Sequence, residues 1–265
     1  MPEPRPEEEW ARVCIERALG DEVEVSHHDD GSADSMYDIA VANAGDLVAA
    51  VEVTGVWDPP VDVLWKLLNS DGRWIDDRLA GGWIVGLKPG ANAKRIRANL
   101  PAFLQKLESV GVRNLLVAPW GHGPFDNEAE QLGIIHLHQG ATAFPGSIYP
   151  LAEQEHDKTG GYVADTGDAL PRWLGWWLRD PVRADNVRKL SASGAPEHHM
   201  FVVFPPFADA PFGVTDLLMR RDAPLPTLSP DLPDEVTHAS AASAWGGGAG
   251  MRWSPDAGWH RFATH

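Results

Sequence analysis

Residues 37–54 read YDIAVANAGDLVAAVEVT, two runs of apolar and β-branched residues on either side of the turn-forming stretch Asn43-Ala44-Gly45-Asp46. That pattern predicts a β-hairpin. A three-residue loop with Asn43 facing Leu47 sets Asp38 directly opposite Glu52. Side chains alternate along a strand, so Glu52 shares its face with Val48, Ala50 and Thr54, while Leu47, Ala49, Val51 and Val53 form a wholly apolar face. Opposed residues have Cβ atoms ~4.5–5.5 Å apart. Two carboxylates at that separation repel unless one is protonated or a cation lies between them. A few hard oxygen ligands suit Mg²⁺, whose shell is completed by waters and substrate phosphate oxygens. The same pairing would accept Mn²⁺, and phosphodiester hydrolysis fits such an ion.

Outward from the hairpin, Trp10, Val13, Cys14, Arg17 and Ala18 trace a mostly apolar helical stripe over residues 7–19, with Glu7, Glu8 and Glu9 at the positive end of its dipole. Residues 27–35 read as a polar loop. After the hairpin come a short helix over 61–68, a third strand over 83–87 and a longer helix around Ile96, Leu100, Phe103, Leu104 and Leu107, kinked or restarted at Pro101. Strands follow at Leu115 to Ala118 and Ile134 to Leu137. Helix, hairpin, strand, helix, strand indicates an α/β fold, a mixed sheet flanked by helices. Leu170 to Ser191 reads as helical and His199 to Phe204 as a strand. A proline-rich stretch and a final hairpin around Gly246 to Gly250 complete the chain. The organisation expected is a core over residues 1–145 and a C-terminal α/β region over 146–265 that is either separate or part of the same core.

Tyr37-Asp38-Ile39-Ala40-Val41, a short turn, and Val51-Glu52-Val53-Thr54 together resemble the motif of the restriction-endonuclease-like PD-(D/E)XK nuclease superfamily, and the surrounding helices and strand over residues 7–118 match as well. The resemblance implies that Asp38 and Glu52 bind Mg²⁺, assisted by a glutamate of the first helix, Glu16. It also implies a lysine two residues after Glu52 that helps activate the attacking water. Thr54 stands there and carries no charge. Members of the superfamily supply the lysine from a neighbouring element, which points to Lys88 at the end of the third strand or to Lys66. Two readings follow: a divalent-metal-dependent nuclease of restriction or defence type, or a binding or regulatory module that has lost its lysine.

The formal charge is −16, and residues 1–60 hold 15 acidic residues against three arginines. Such a field repels phosphate backbones and argues against strong non-specific nucleic-acid binding. A local basic face remains over residues 88–113, where Lys94, Arg95 and Arg97 are the candidate substrate contacts; solvated helix faces are the plainer reading. The single Cys14 excludes an internal disulfide and, on an acidic amphipathic helix, a thiolate nucleophile. The acidic opening MPEPRPEEEW has no export-signal pattern and no apolar run approaches membrane-spanning length, so a cytoplasmic protein without membrane contact is expected. His136 and His138, on one strand face near His122, form a possible zinc pair, although no cysteine or carboxylate spacing supports it. His27-His28 and His198-His199 are adjacent pairs whose side chains diverge. Asp29, Asp30 and Asp34 fail as a calcium loop because Ala40 occupies the twelfth position. Trp173, Trp176 and Trp177 suit core packing or a protein partner better than base stacking.

Overall fold

The computed structural model describes residues 3–20, 22–32, 35–70, 74–117, 123–140, 144–154, 156–161, 163–164, 166–245 and 248–265. Asp34, Ala118, His122, Gly246 and Gly247, named above, lie outside them. Along the chain run α1 (Pro6–Leu19), β1 (Glu24–His27), β2 (Ile39–Asn43), β3 (Asp46–Gly55), α2 (Pro59–Asn69), β4 (Trp74–Ile75), β5 (Trp83–Leu87), α3 (Ala93–Ser109), β6 (Asn114–Leu116), α4 (Asp126–Leu132), β7 (Ile134–Gln139) and β8 (Ser147–Ala152). Then follow α5 (His156–Thr159), α6 (Ala169–Leu178), α7 (Ala184–Ala192), β9 (Glu197–Phe204), α8 (Phe212–Met219), β10 (His238–Ser243), β11 (Gly250–Ser254) and β12 (Gly258–Phe262). The fold is mixed α/β, with two mixed sheets flanked by helices.

The chain divides into two compact units, residues 1–57 with 157–265, and residues 58–156. The first unit holds a seven-stranded sheet in the order β1-β2-β3-β9-β10-β11-β12. Strand β9 is parallel to both β3 and β10, and the other pairings are antiparallel. The strand beside β3 is thus β9 and not Trp83–Leu87, which belongs to the second unit. The two are far apart in sequence, because the whole second unit is inserted between β3 and the helices leading to β9.

The apolar patterning explains why this sheet is covered on both sides. Ala11, Cys14 and Ile15 of α1 pack with Val51, Val53, Phe201 and Val203 on one face. Leu170, Trp173, Leu174 and Trp177 of α6, Val187 and Leu190 of α7, and Leu217 of α8 pack with Ala50, Met200, Val202 and Phe204 on the other. Trp173 and Trp177 are therefore core residues, while Trp176 is exposed. Each fully buried large apolar side chain contributes roughly 1.5–3 kcal/mol.

The hairpin closes through a two-residue turn at Ala44-Gly45, both with positive φ (50° and 91°), as type I′ turns require. Ala42, not Asn43, faces Leu47, and the register shifts at a bulge between Val41 and Ala42. Beyond the bulge Val41 faces Ala49, Ala40 faces Ala50 and Ile39 faces Val51. The shorter loop and the bulge offset each other, so the register that aligns Asp38 with Glu52 is the expected one. The bulge does exchange two side chains: Leu47 packs on the α6–α7 side with Ala40, and Val48 on the α1 side.

The second unit has a five-stranded sheet in the order β4-β8-β5-β7-β6, with β5 parallel to β8. Ile96, Leu100, Phe103, Leu104 and Leu107 of α3 are buried, and α3 continues through Pro101 as one helix. No helix among the described residues is long and apolar enough to cross a membrane.

Candidate active site

Glu52 sits in the middle of β3, opposite Met200 of β9, and its side chain points to the α6–α7 face. Both Asp38 and Glu52 are almost fully buried, at 3% and 1% exposure. Asp38 is held from behind: the Val53 N–H donates to its Oδ2 at 2.7 Å. From α7, Lys189 Nζ donates to Glu52 Oε1 at 3.0 Å, and the lysine is itself largely covered, with 18% of its side chain exposed. Glu52 Oε2 is buried with no hydrogen-bond partner. Arg5, at the N-terminus of α1, approaches Asp38 Oδ1 to 3.7 Å and also pairs with Glu8.

Burial dominates the electrostatics of the pair. It pushes Glu52 up to about 8, reinforced by the charge of Asp38 and opposed by Lys189. Burial likewise lifts Asp38 to about 6, with the Val53 N–H pulling down and Glu8 pushing up. For Lys189, burial acts downward, but the hydrogen bond and charge of Glu52 outweigh it and leave the ammonium favoured. A buried lysine on one oxygen of Glu52 does not repay the desolvation of two carboxylates. Were both carboxylates ionised, Lys189 alone would not balance them, and Glu52 Oε2 is the oxygen left without a partner; two hard carboxylates are a donor set that could hold a divalent cation.

Of the other expected site residues, Glu16 alone belongs to the same unit as Asp38 and Glu52. Glu16 is exposed and bound to Arg12; the α1 glutamate whose charge acts on Asp38 is Glu8, two turns earlier. Lys66 and Lys88 both belong to the second unit, and Lys66 pairs with Asp62. Lys94, Arg95 and Arg97 also lie there on α3. Arg95 bonds Gln131, and Arg97 bonds Leu67 and Ser70 and lies over the Trp74 ring. Two of the three candidate phosphate contacts are thus already engaged. His136 is paired with Glu153 and His138 with Asn114. Burial pushes Cys14 up to about 11, so it is a thiol at neutral pH.

The sequence points to no site role for Lys189, one of several basic residues over 172–189, nor for His199, half of an adjacent pair. His199 in fact meets His238 and Glu197 in a cluster on the opposite side of the same sheet. The signal for Lys189 is faint: it flanks the buried Val187 and Leu190 on a short helix.

No protein-family model, curated protein or solved structure matches this chain.

Proposed function

We propose that the first unit is a divalent-metal-dependent phosphodiesterase of the restriction-endonuclease-like nuclease type, with Asp38 and Glu52 as the Mg²⁺ or Mn²⁺ ligands and Lys189 as the amine that Thr54 cannot provide. The observation that carries this reading is the Lys189 contact with Glu52 Oε1, beside an Oε2 left unpartnered. The family resemblance asks for an acidic pair on a hairpin, a neighbouring lysine and helix–strand elements behind them. In this chain α6, α7 and the parallel strand β9 are consistent with those elements.

The roles follow from the environment. Val53 N–H fixes Asp38 in one orientation. Lys189 supplies positive charge and a transferable proton at Glu52, as a general acid–base group must within hydrogen-bond reach. Arg5 and Glu8 set the field at Asp38. A bound divalent ion would polarise the phosphoryl group and lower the pKa of a bound water. Without an ion, Glu52 retains its proton near neutral pH, so the site is primed to exchange a proton for a cation.

The test is cleavage of labelled single- and double-stranded DNA and RNA with Mg²⁺ or Mn²⁺, comparing the protein with Glu52→Ala. Cleavage that disappears in the variant supports the reading. No cleavage by either protein favours the alternative, a binding or regulatory module, for which the −16 charge is the motive.

A further inference from the structure

On the α1 side of the seven-stranded sheet, at the start of β9, Glu197 and His199 are two residues apart and so project from the same face. His238, the first residue of β10, is the direct cross-strand partner of His199. The two imidazole rings are 4.2 Å apart between centroids. Glu197 Oε2 lies 2.7 Å from His199 Nε2 and 3.7 Å from His238 Nε2. Among the described residues this is the one group of three or more His, Cys, Asp or Glu side chains whose ligand atoms lie within 4.8 Å of one another.

The hydrogen bonds around the cluster hold these atoms together. Thr237 Oγ1 donates to the His198 carbonyl at 3.1 Å and accepts from the His198 N–H at 2.8 Å. The same hydroxyl lies 2.9 Å from His238 Nδ1 and so holds that ring from outside the cluster. His199 Nε2–H donates to the Glu197 carboxylate, and His238 Nε2 faces the same oxygen. A metal ion would take the place of that proton, and an outer hydrogen bond such as the one at His238 Nδ1 is the usual companion of a metal-bound histidine. Two imidazoles and a carboxylate are a borderline-soft N₂O set that suits zinc-class ions and not magnesium. His199 and His238 are buried, at 5% and 8% exposure, whereas Glu197 keeps 46% of its side chain exposed and opens the cluster to solvent.

We infer that Glu197, His199 and His238 form a site for a zinc-class divalent transition ion, distinct from the Asp38/Glu52 pair and on the opposite face of the same sheet. Three protein ligands leave a fourth position for solvent or an exogenous ligand. Arg252 of β11 brings a positive charge to bear on the same three residues, which works against a bare cation there and makes an anionic fourth ligand the one that would offset it.

The experiment is Zn²⁺ titration of the full chain against a chromogenic chelator, in excess Mg²⁺ to keep the Asp38/Glu52 site occupied. The wild type, Glu197→Gln, His238→Ala and Glu52→Gln are compared, each first checked for folding by circular dichroism. The expected result is one Zn²⁺ bound per chain, weakened by about tenfold or more in Glu197→Gln and His238→Ala and unchanged in Glu52→Gln. Because Glu197 is half-exposed, its variant folds and decides the question if His238→Ala does not. No stoichiometric Zn²⁺ binding by the wild type, or binding by Glu197→Gln as tight as wild type, overturns the site without touching the nuclease reading.

Discussion

Lys189 Nζ donates to Glu52 Oε1 at 3.0 Å although 137 positions separate the two residues in the chain. The contact exists because β9, the strand that follows α7, pairs in parallel with β3 and draws α7 onto the face from which Glu52 projects. An amine absent at Thr54 therefore reaches the acidic pair from another element.

Replacing Lys189 with Met keeps the length of the side chain and removes the charge and the proton. Cleavage is expected to fall by ~10²–10⁴, the usual contribution of a positioned acid–base group, while Mn²⁺ binding persists. Single-turnover cleavage beside calorimetry checks both. Wild-type cleavage by Lys189→Met would remove the lysine from the mechanism.

The acidic pair makes stability depend on pH with a definite sign. Glu52 is raised from 4.5 to about 8 and Asp38 from 3.8 to about 6, so the folded state holds these protons more tightly than the unfolded chain. Their contribution is fully present below about pH 4, where both states are protonated, and is lost as pH rises through 6 and then 8. At about 1.4 kcal/mol per pKa unit the two shifts together set an upper bound of roughly 8 kcal/mol on the loss. Glu52→Gln should flatten that part of the profile and melt higher than wild type at pH 8 without metal. Melting curves from pH 5 to 8.5 test this, and parallel profiles for the two proteins would contradict it.

The turn that sets the register offers a test on stability alone. Ala44 holds φ 50° and Gly45 φ 91°, and an L-residue with a Cβ pays roughly 1–2 kcal/mol in that region. Ala44→Gly is expected to stabilise the first unit by up to about 1 kcal/mol after the added chain entropy of glycine, and Gly45→Ala to destabilise it by a similar amount. Denaturant midpoints measure both, and the opposite order would mean that the turn has another shape.

Gly175 marks where α6 meets the proline-rich segment. A Cβ there would lie 2.6 Å from the Asp231 carbonyl oxygen, and Arg179 one turn later fastens the same segment through Asp231 and Leu232. Gly175→Ala should cost about 1–3 kcal/mol, the range for overpacking. Thermal unfolding of the variant checks it, and an unchanged midpoint would show that the segment yields.

The acidic hairpin was legible because its determinants are local: a turn sequence, two apolar runs and an alternation that survives even the bulge at Val41/Ala42. Strand β1 was not, since Glu24-Val25-Ser26-His27 has one buried apolar residue and is a strand only because β2 offers it an edge. The parallel partner of β3 was not legible, for a topological reason. A parallel neighbour needs a crossover connection, and here that connection contains an entire second unit, which placed the apolar Trp83–Leu87 run in front of β9. The same insertion hid Lys189. His238 and His199 were invisible as a pair because only the register of β9 with β10 brings them together.

Mn²⁺ calorimetry at pH 7 in buffers of different ionisation enthalpy tests most directly whether the buried carboxylates are a cation site. The wild type should bind the ion and release about one proton, since Glu52 is held up to about 8, and Glu52→Gln should lose both the binding and the proton release. Absence of Mn²⁺ binding by the wild type, or identical isotherms for the two proteins, would contradict a metal centre at Asp38 and Glu52.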